Sequence, residues 1–448
     1  MDNHHKELGT EPISKLIWKQ SVPAMIGLFV LALYNVVDTI FLGHYVGTIA
    51  VAALAVSVPV HIVVIALAQT IGIGASSIIS RKLGEKDYET AGKALGSSFV
   101  LVALIGGITS VLGLSYLDEI LVLFGATDAI LPYARDYLSV LLFGAIFLLF
   151  VASSNNIIRS EGKAKFAMSI MITSAVVNII LDPIFIIWLE MGVRGAAIAT
   201  VIAQIFAFIL ALYYFVAGKS GIKWKWNYLC LELKIVKEMF AIGAASFARQ
   251  VSSSVVAIVF NNLLAVYGGE VGIAAYGILM RVTMLFIMPM FGVMQGMLPV
   301  LGYNYGAKAY KRAHEVAVAS IRYSTYISTG AWVLLLVFAG LAVRAFTFDP
   351  DLISVGVRAL RISVFLLPLV GFQLVAAGVY QAIGKAKPAF VLSMLRPALL
   401  LIPAVLILSE VFGLDGIWGA FPVADLLAGI VTFFMLRKEL KLIDGKQA

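Results

Sequence analysis

Three aspartates stand where a carboxylate is expensive. Asp38, Asp182 and Asp425 each interrupt a long apolar run, whereas most other acids fall in loops, near run ends or at the termini. An ionised side chain at the centre of a bilayer costs about 3 kcal/mol or more, so it marks a functional candidate. Two of the three have organised polar company. Tyr34, Asn35 and Asp38 sit at i, i+1 and i+4, which puts Tyr34 and Asp38 on one helical face. Asn178 and Asp182 are four apart and point one way. Thr200 lies a turn or two into the next run, at the depth of Asp182, and Tyr137 falls in the same outer half. Two carboxylates, an amide and a hydroxyl are hard oxygen ligands that suit a sodium ion or a shared proton. Two close carboxylates at low dielectric cannot both stay ionised cheaply. The alternative is a buried polar network that only staples helices together. Asp425 is more evenly divided, because Arg249, Arg281 or Arg396 could pair with it, and Asp425 with Arg281 is a secondary candidate site. His61 stands alone in the second run and reads as a packed or hydrogen-bonded histidine.

The elements that must position these residues are membrane spans. Of 448 residues 61% are hydrophobic and 13% charged, with mean hydropathy +0.99. Soluble domains carry about 25% charged residues, so this composition excludes an ordinary soluble enzyme, and its apolar content excludes disorder. A span needs roughly 20 apolar residues. Twelve runs qualify: 14–43, 49–80, 93–115, 129–157, 164–188, 193–217, 236–267, 271–302, 313–345, 354–383, 387–411 and 414–437. Short alternating strands are missing, which argues against a barrel. Residues 1–13 are polar and no small-residue cleavage site follows the first run, so no signal peptide is expected. Orientation follows from the cations: 24 of the 33 lysines and arginines fall on the N-terminus, the even-numbered loops and the C-terminus. That side is expected to be cytoplasmic, in a multi-pass plasma or inner membrane protein with both termini inside. The net charge of +8 then reflects topology, and no nucleic acid is implied. Cys230, the single cysteine, excludes an internal disulfide.

The halves repeat at an offset of 222. Tyr45 and Gly47 match Tyr267 and Gly269; Gly74 and Gly84 match Gly296 and Gly306; Lys86 and Tyr88 match Lys308 and Tyr310. Gly162-Lys163-Ala164-Lys165 recurs as Gly384-Lys385-Ala386-Lys387, and at offset 221 Gly192 and Gly195 match Gly413 and Gly416. Six spans separate the copies, so both run the same way through the membrane. The expected fold is an all-α polytopic membrane protein of twelve transmembrane helices in two six-helix lobes. The lobes cover 1–218 and 236–448, joined by a cytoplasmic linker at 219–235. The duplication also supplies a control. Asp38, Asn178 and Asp182 correspond to Phe260, Leu400 and Ala404, and Thr200 to Phe421 at offset 221. Ion chemistry is therefore expected in the first lobe. Pro23, inside the first span, removes a ladder hydrogen bond and marks either a bend point or a static kink.

Four segments carry a family resemblance: Tyr34-Asn35-Val36-Val37-Asp38, Gly74…Arg81-Lys82-Leu83-Gly84, Asn155-Asn156-Ile157-Ile158-Arg159-Ser160-Glu161-Gly162, and Asn178-Ile179-Ile180-Leu181-Asp182-Pro183. Together they resemble the multidrug and toxic compound extrusion family of cation-coupled antiporters, along nearly the whole chain. The resemblance implies that Asp38 is the protonation carboxylate of the first helix. It implies that Asp182, Asn178 and Thr200 are ion-site positions and that Tyr137 is a hydrogen-bonding tyrosine there. By the same resemblance Tyr34, Asn155, Met171 and Asn178 line the drug cavity. Some members carry extra acids in helices 7 and 10, where this chain has Arg249 and Gln250, and Gln373 and Gln381.

The expected function is export of amphipathic, often cationic compounds, coupled to inward proton or sodium movement by alternating access. The expected partners are these small molecules and the bilayer; no nucleic acid or cofactor is expected, and the chain is expected to be monomeric. A lipid-linked precursor flippase of similar architecture is the alternative, and it would use Arg249, Arg281 and Arg396 to hold a diphosphate. A major-facilitator transporter fits less well, because Gly84-Glu85-Lys86-Asp87-Tyr88 lacks that family's Asp-Arg-rich loop. An enzyme would need a nucleophile with its base, or a metal cluster. The histidines (His4, His5, His44, His61, His314) are scattered, and neither HExxH nor a Walker loop occurs.

Overall fold

A computed structural model describes residues 4–222 and 225–446, which are helical almost throughout, with no strand among them. A short α1 (His4–Thr10) precedes the first span, α2 (Ile13–Tyr45), through which Pro23 passes without ending the helix. Then come α3 (Thr48–Gly84), α4 (Tyr88–Ser115) and the brief α5 (Leu117–Leu123). The fourth span is two helices, α6 (Leu131–Phe143) and α7 (Ala145–Ser160), bent by 54° around Gly144. α8 (Ala164–Pro183) runs into a π-helical turn, Ile184–Trp188, and α9 (Gly192–Val216) closes the first half. The second half repeats this order with α10 (Leu233–Tyr267), α11 (Gly269–Gly306), α12 (Tyr310–Val337) and the short α13 (Ala339–Arg344). Its fourth span is again broken, into α14 (Pro350–Ser363) and α15 (Leu367–Ala382), with a bend of 52°. α16 (Ala386–Met394), a π-helical stretch Leu395–Leu401 and α17 (Ile402–Gly445) complete the chain.

Eight helices are long and apolar enough to cross a bilayer, and the two bent pairs raise the number to ten. One of the eight covers residues 386–445 and contains Gly413 at φ 56°, ψ −131°, where the helix breaks into two spans. α12 is more polar than the rest, with Lys311, Arg312 and Arg322 and a middle rich in serine, threonine and tyrosine. Counting both gives the twelve spans read from the sequence. The two bends and two π-helical turns were not readable as hydropathy, since none of them interrupts the apolar run.

The duplication is visible in the backbone. Left-handed residues recur at matched positions: Gly47 and Gly269, Lys86 and Lys308, Gly162 and Gly384, and Gly192 and Gly413. By its internal contacts the chain divides into two units. The first holds the described residues to Thr10 and Ile26–Gly243; the second holds Glu11–Met25 and Ala244–Ala448. The segments Glu11–Met25 and 233–243 are themselves related by the 222 offset. Each docks on a glycine of a long helix. In the first unit a Cβ at Gly74 of α3 would overlap the Met239 carbonyl, and in the second a Cβ at Gly296 of α11 would overlap Ser21. These matched glycines are sites of close backbone approach.

Candidate ion site in the first unit

Asp38 lies on α2, one turn beyond Tyr34. Asn178 and Asp182 occupy the last two turns of α8, directly before Pro183 and the π-helical turn. Thr200 faces them from α9, whose small residues Gly195, Ala196, Ala199 and Ala203 are buried and allow α8 to approach. Asn178 bridges the two helices: its Nδ2 donates to Asp182 Oδ1 at 3.2 Å and to Thr200 Oγ1 at 3.3 Å. All four are buried, Asp182 completely. Asp38 Oδ1, Asn178 Oδ1 and Asp182 Oδ2 are buried acceptors with no hydrogen-bond donor among the described residues. Buried polar atoms are rarely left this way, and a proton or a cation is what three such oxygens can take. Tyr34 and Tyr137 both lie within electrostatic range of Asp38 and Asp182. Tyr137 also packs against the apolar cluster of Leu42, Ala50, Ile186, Val193 and Ala196. Among the described residues no group of three or more His, Cys, Asp or Glu could hold a metal, so any cation here would rest on this mixed oxygen set.

Two other candidates gather elsewhere in the same unit. Met171 is seven residues before Asn178, about 10 Å along α8. Its sulfur accepts a long hydrogen bond, 3.6 Å, from Arg159 Nη2, while Arg159 Nε donates to Asn155 Oδ1 at 2.9 Å. Asn155 in turn donates to the Ala167 carbonyl at 2.8 Å. A Cβ at Gly27 of α2 would come within 2.7 Å of the Met171 sulfur. Arg159 entered the sequence reading only inside a family segment, with no role assigned, although a lone arginine at the end of an apolar run was the available signal. It is buried, with Nη1 lacking an acceptor among the described residues. Glu161, two residues on in the same segment, was likewise given no role. It is buried outside the span and accepts from Tyr214 Oη at 2.9 Å, Ser220 Oγ at 2.8 Å and the Gly221 amide at 2.7 Å. His61 is half-buried on α3.

The second unit differs at every matched position. Phe260 stacks on Tyr276 at 5.3 Å between ring centroids and meets Phe421 at 5.0 Å. Leu400 and Ala404 pack on the same apolar core. Asp425 is buried elsewhere and forms an ion pair with Arg396, one residue into the second π-helical stretch. Gln373 Nε2 donates to the Asp425 carbonyl at 2.8 Å. Arg281 is exposed and has no ion-pair partner among the described residues, so Asp425 and Arg281 are not paired. Arg249 lies 5.3 Å from the centre of the Phe291 ring.

The MatE family model matches this chain twice, over residues 23–184 and 244–407. The two stretches fall on the two repeats. The chain is 27% identical over 442 residues to the multidrug export protein MepA of Staphylococcus aureus (strain MSSA476), covering 97% of both proteins. Among solved structures it resembles the MATE multidrug transporter DinF-BH, solved as a complex, with TM-score 0.90, 44% identity and 96% of each chain covered. It also resembles a MATE protein in the bent conformation, with TM-score 0.94, 28% identity and full coverage of both chains.

Proposed function

The chain belongs to the MatE family of membrane transporters, and we propose that it exports amphipathic, often cationic compounds in exchange for inward-moving protons or sodium. Its relatives named for multidrug export and multidrug transport, MepA and DinF-BH, support the substrate class. The observation that carries the coupling is the set of buried, donor-free oxygens on Asp38, Asn178 and Asp182. A site that can take one proton or one desolvated cation exists in two charge states, and substrate exit is coupled to the exchange between them. Such coupling cannot exceed the difference in affinity of ion and drug for the two conformations of alternating access. Tyr34, Asn155, Met171 and Asn178 form the proposed substrate surface. Both termini and the linker are placed in the cytoplasm by the distribution of lysine and arginine, and the working unit is a monomer. The flippase reading has lost support, because Arg396 is already neutralised by Asp425 and leaves fewer cations for a diphosphate.

The test is dye efflux from proteoliposomes with the sodium and proton gradients imposed separately. Asp38→Asn keeps the size and hydrogen bonding of the side chain and removes the exchangeable charge. It is expected to abolish gradient-driven efflux while the protein stays folded and inserted. Efflux at the wild-type rate from a folded Asp38→Asn protein would falsify the coupling role.

A further inference from the structure

Away from the polar cluster, the second unit holds a groove of about 430 Å³ between α12, α15 and the end of α17. Its walls are apolar, including Phe372, Phe433 and Leu440. Its rim is cationic: Arg437 and Lys441 are one turn apart on α17, with His314 beside them on α12. The lining also holds one acid, Asp444, whose carboxylate lies 3.6 Å from His314 Nε2, so two cations stand against one carboxylate at the rim. Arg437 and Lys441 have no ion-pair partner among the described residues, and both are exposed. The groove lies where α17 passes from an apolar stretch into the basic run Arg437, Lys438, Lys441 and Lys446. Phe433, in the lining, is 51% exposed and lies one turn before Arg437, so the apolar wall ends where the cations begin. A passage from an apolar stretch into a run of lysine and arginine marks a membrane–water boundary.

An apolar slot capped by two free cations at that level complements one ligand class. The acyl chain of a lipid satisfies the walls, and a phosphate-bearing headgroup satisfies Arg437 and Lys441. Cationic compounds would meet repulsion at the rim, and a zwitterionic headgroup would bring its own cation against it. We propose that this groove binds an anionic phospholipid of the inner leaflet, the choice of leaflet resting on the orientation given above. Basic pockets between helices on the cytoplasmic side recognise such headgroups by charge and hydrogen bonding together.

Native mass spectrometry of the full chain from nanodiscs containing equal phosphatidylglycerol and phosphatidylcholine tests this. Wild-type protein is expected to retain phosphatidylglycerol in preference. Arg437→Ala and Lys441→Ala should each lower its retention about fivefold, the contribution of one cation beside an anionic leaflet. Lys438→Ala, on the same helix but outside the lining, should leave retention unchanged. Val318→Trp, which fills the slot without touching the cations, should lower it. Equal retention by the Arg437→Ala/Lys441→Ala double variant overturns the site. So does an equal loss with Lys438→Ala, which would indicate a diffuse basic surface. Displacement of the lipid by inorganic phosphate at matched concentration would show an anion site and not a lipid groove. The measurement is blind to leaflet, so its failure leaves the orientation standing, and a reversed orientation would leave the groove standing.

Discussion

Asp425 is bonded to Arg396, whereas Asp182 receives one amide hydrogen bond and keeps a second oxygen without a donor. A buried pair broken on one side leaves an uncompensated charge, which costs about 3 kcal/mol where the arginine is 28% exposed. Asp425→Asn is therefore expected to lower the thermal midpoint clearly, and Asp425→Leu with Arg396→Met to recover most of that loss. Its efflux should stay ion-dependent at matched expression. Asp182→Asn should do the reverse, with little change in midpoint and loss of the sodium or pH dependence. If Asp425→Asn loses coupling while Asp182→Asn keeps it, the ion site belongs in the second unit. The sequence left both roles open for Asp425, since three arginines were available. Only the packing of the π-helical stretch Leu395–Leu401 against α17 selected Arg396.

At the scale of elements, the first half closes with a clamp that the second builds differently. Glu161, just past α7, holds the start of the linker through Ser220 and Gly221 and the end of α9 through Tyr214. In the second half the acid is instead on the helix: Glu439 of α17 takes Lys385 at 2.7 Å. Burial pushes the Glu161 carboxyl from 4.5 up to about 7, against the pull of its three hydrogen-bond donors. A carboxyl whose folded pKa is raised stabilises the fold most below its unfolded value, and that contribution is lost as pH rises through the folded one. Hydrogen exchange at the Ser220–Gly221 amides, corrected for intrinsic rates, should show protection falling between pH 6 and 8. Glu161→Gln should flatten that dependence. A flat wild-type profile would contradict a buried titrating clamp.

At the scale of the whole molecule, orientation is the property most open to a direct measurement. Cys230 is free and exposed in the linker, so the native thiol is its own reporter. A membrane-impermeant maleimide should label it only after permeabilisation. Labelling in intact cells would invert the assigned topology. Lys223, in the same linker, lies outside the described residues. The two halves share their turns and their close-approach glycines, yet differ in the interior, where Phe260 and Phe421 stand for Asp38 and Thr200. On the function proposed above, a duplicated scaffold with the carboxylates in one copy would make ion dependence a property of the first unit.

Twelve apolar runs, the parallel repeat and the costly carboxylates were determined by the sequence alone, because hydropathy and intramembrane charge act locally along the chain. Asn178 and Asp182 were readable as neighbours for the same reason, being four apart on one helix. Thr200 was readable at the depth of Asp182, but that its hydroxyl accepts from the Asn178 amide depends on how α8 and α9 pack, which no spacing encodes. The bends around Gly144 and after Ser363 escaped the reading, since a bend keeps the run apolar and changes only backbone geometry; the break at Gly413 falls in the gap already read between the runs 387–411 and 414–437. Asn155 and Met171 share residue types with a ligand pocket, but the tertiary structure ties them to Arg159, two turns of α8 away from Asn178. Distances across helices are fixed by side-chain packing between segments far apart in sequence, so the pairing of buried charges was decided only when the helices came together.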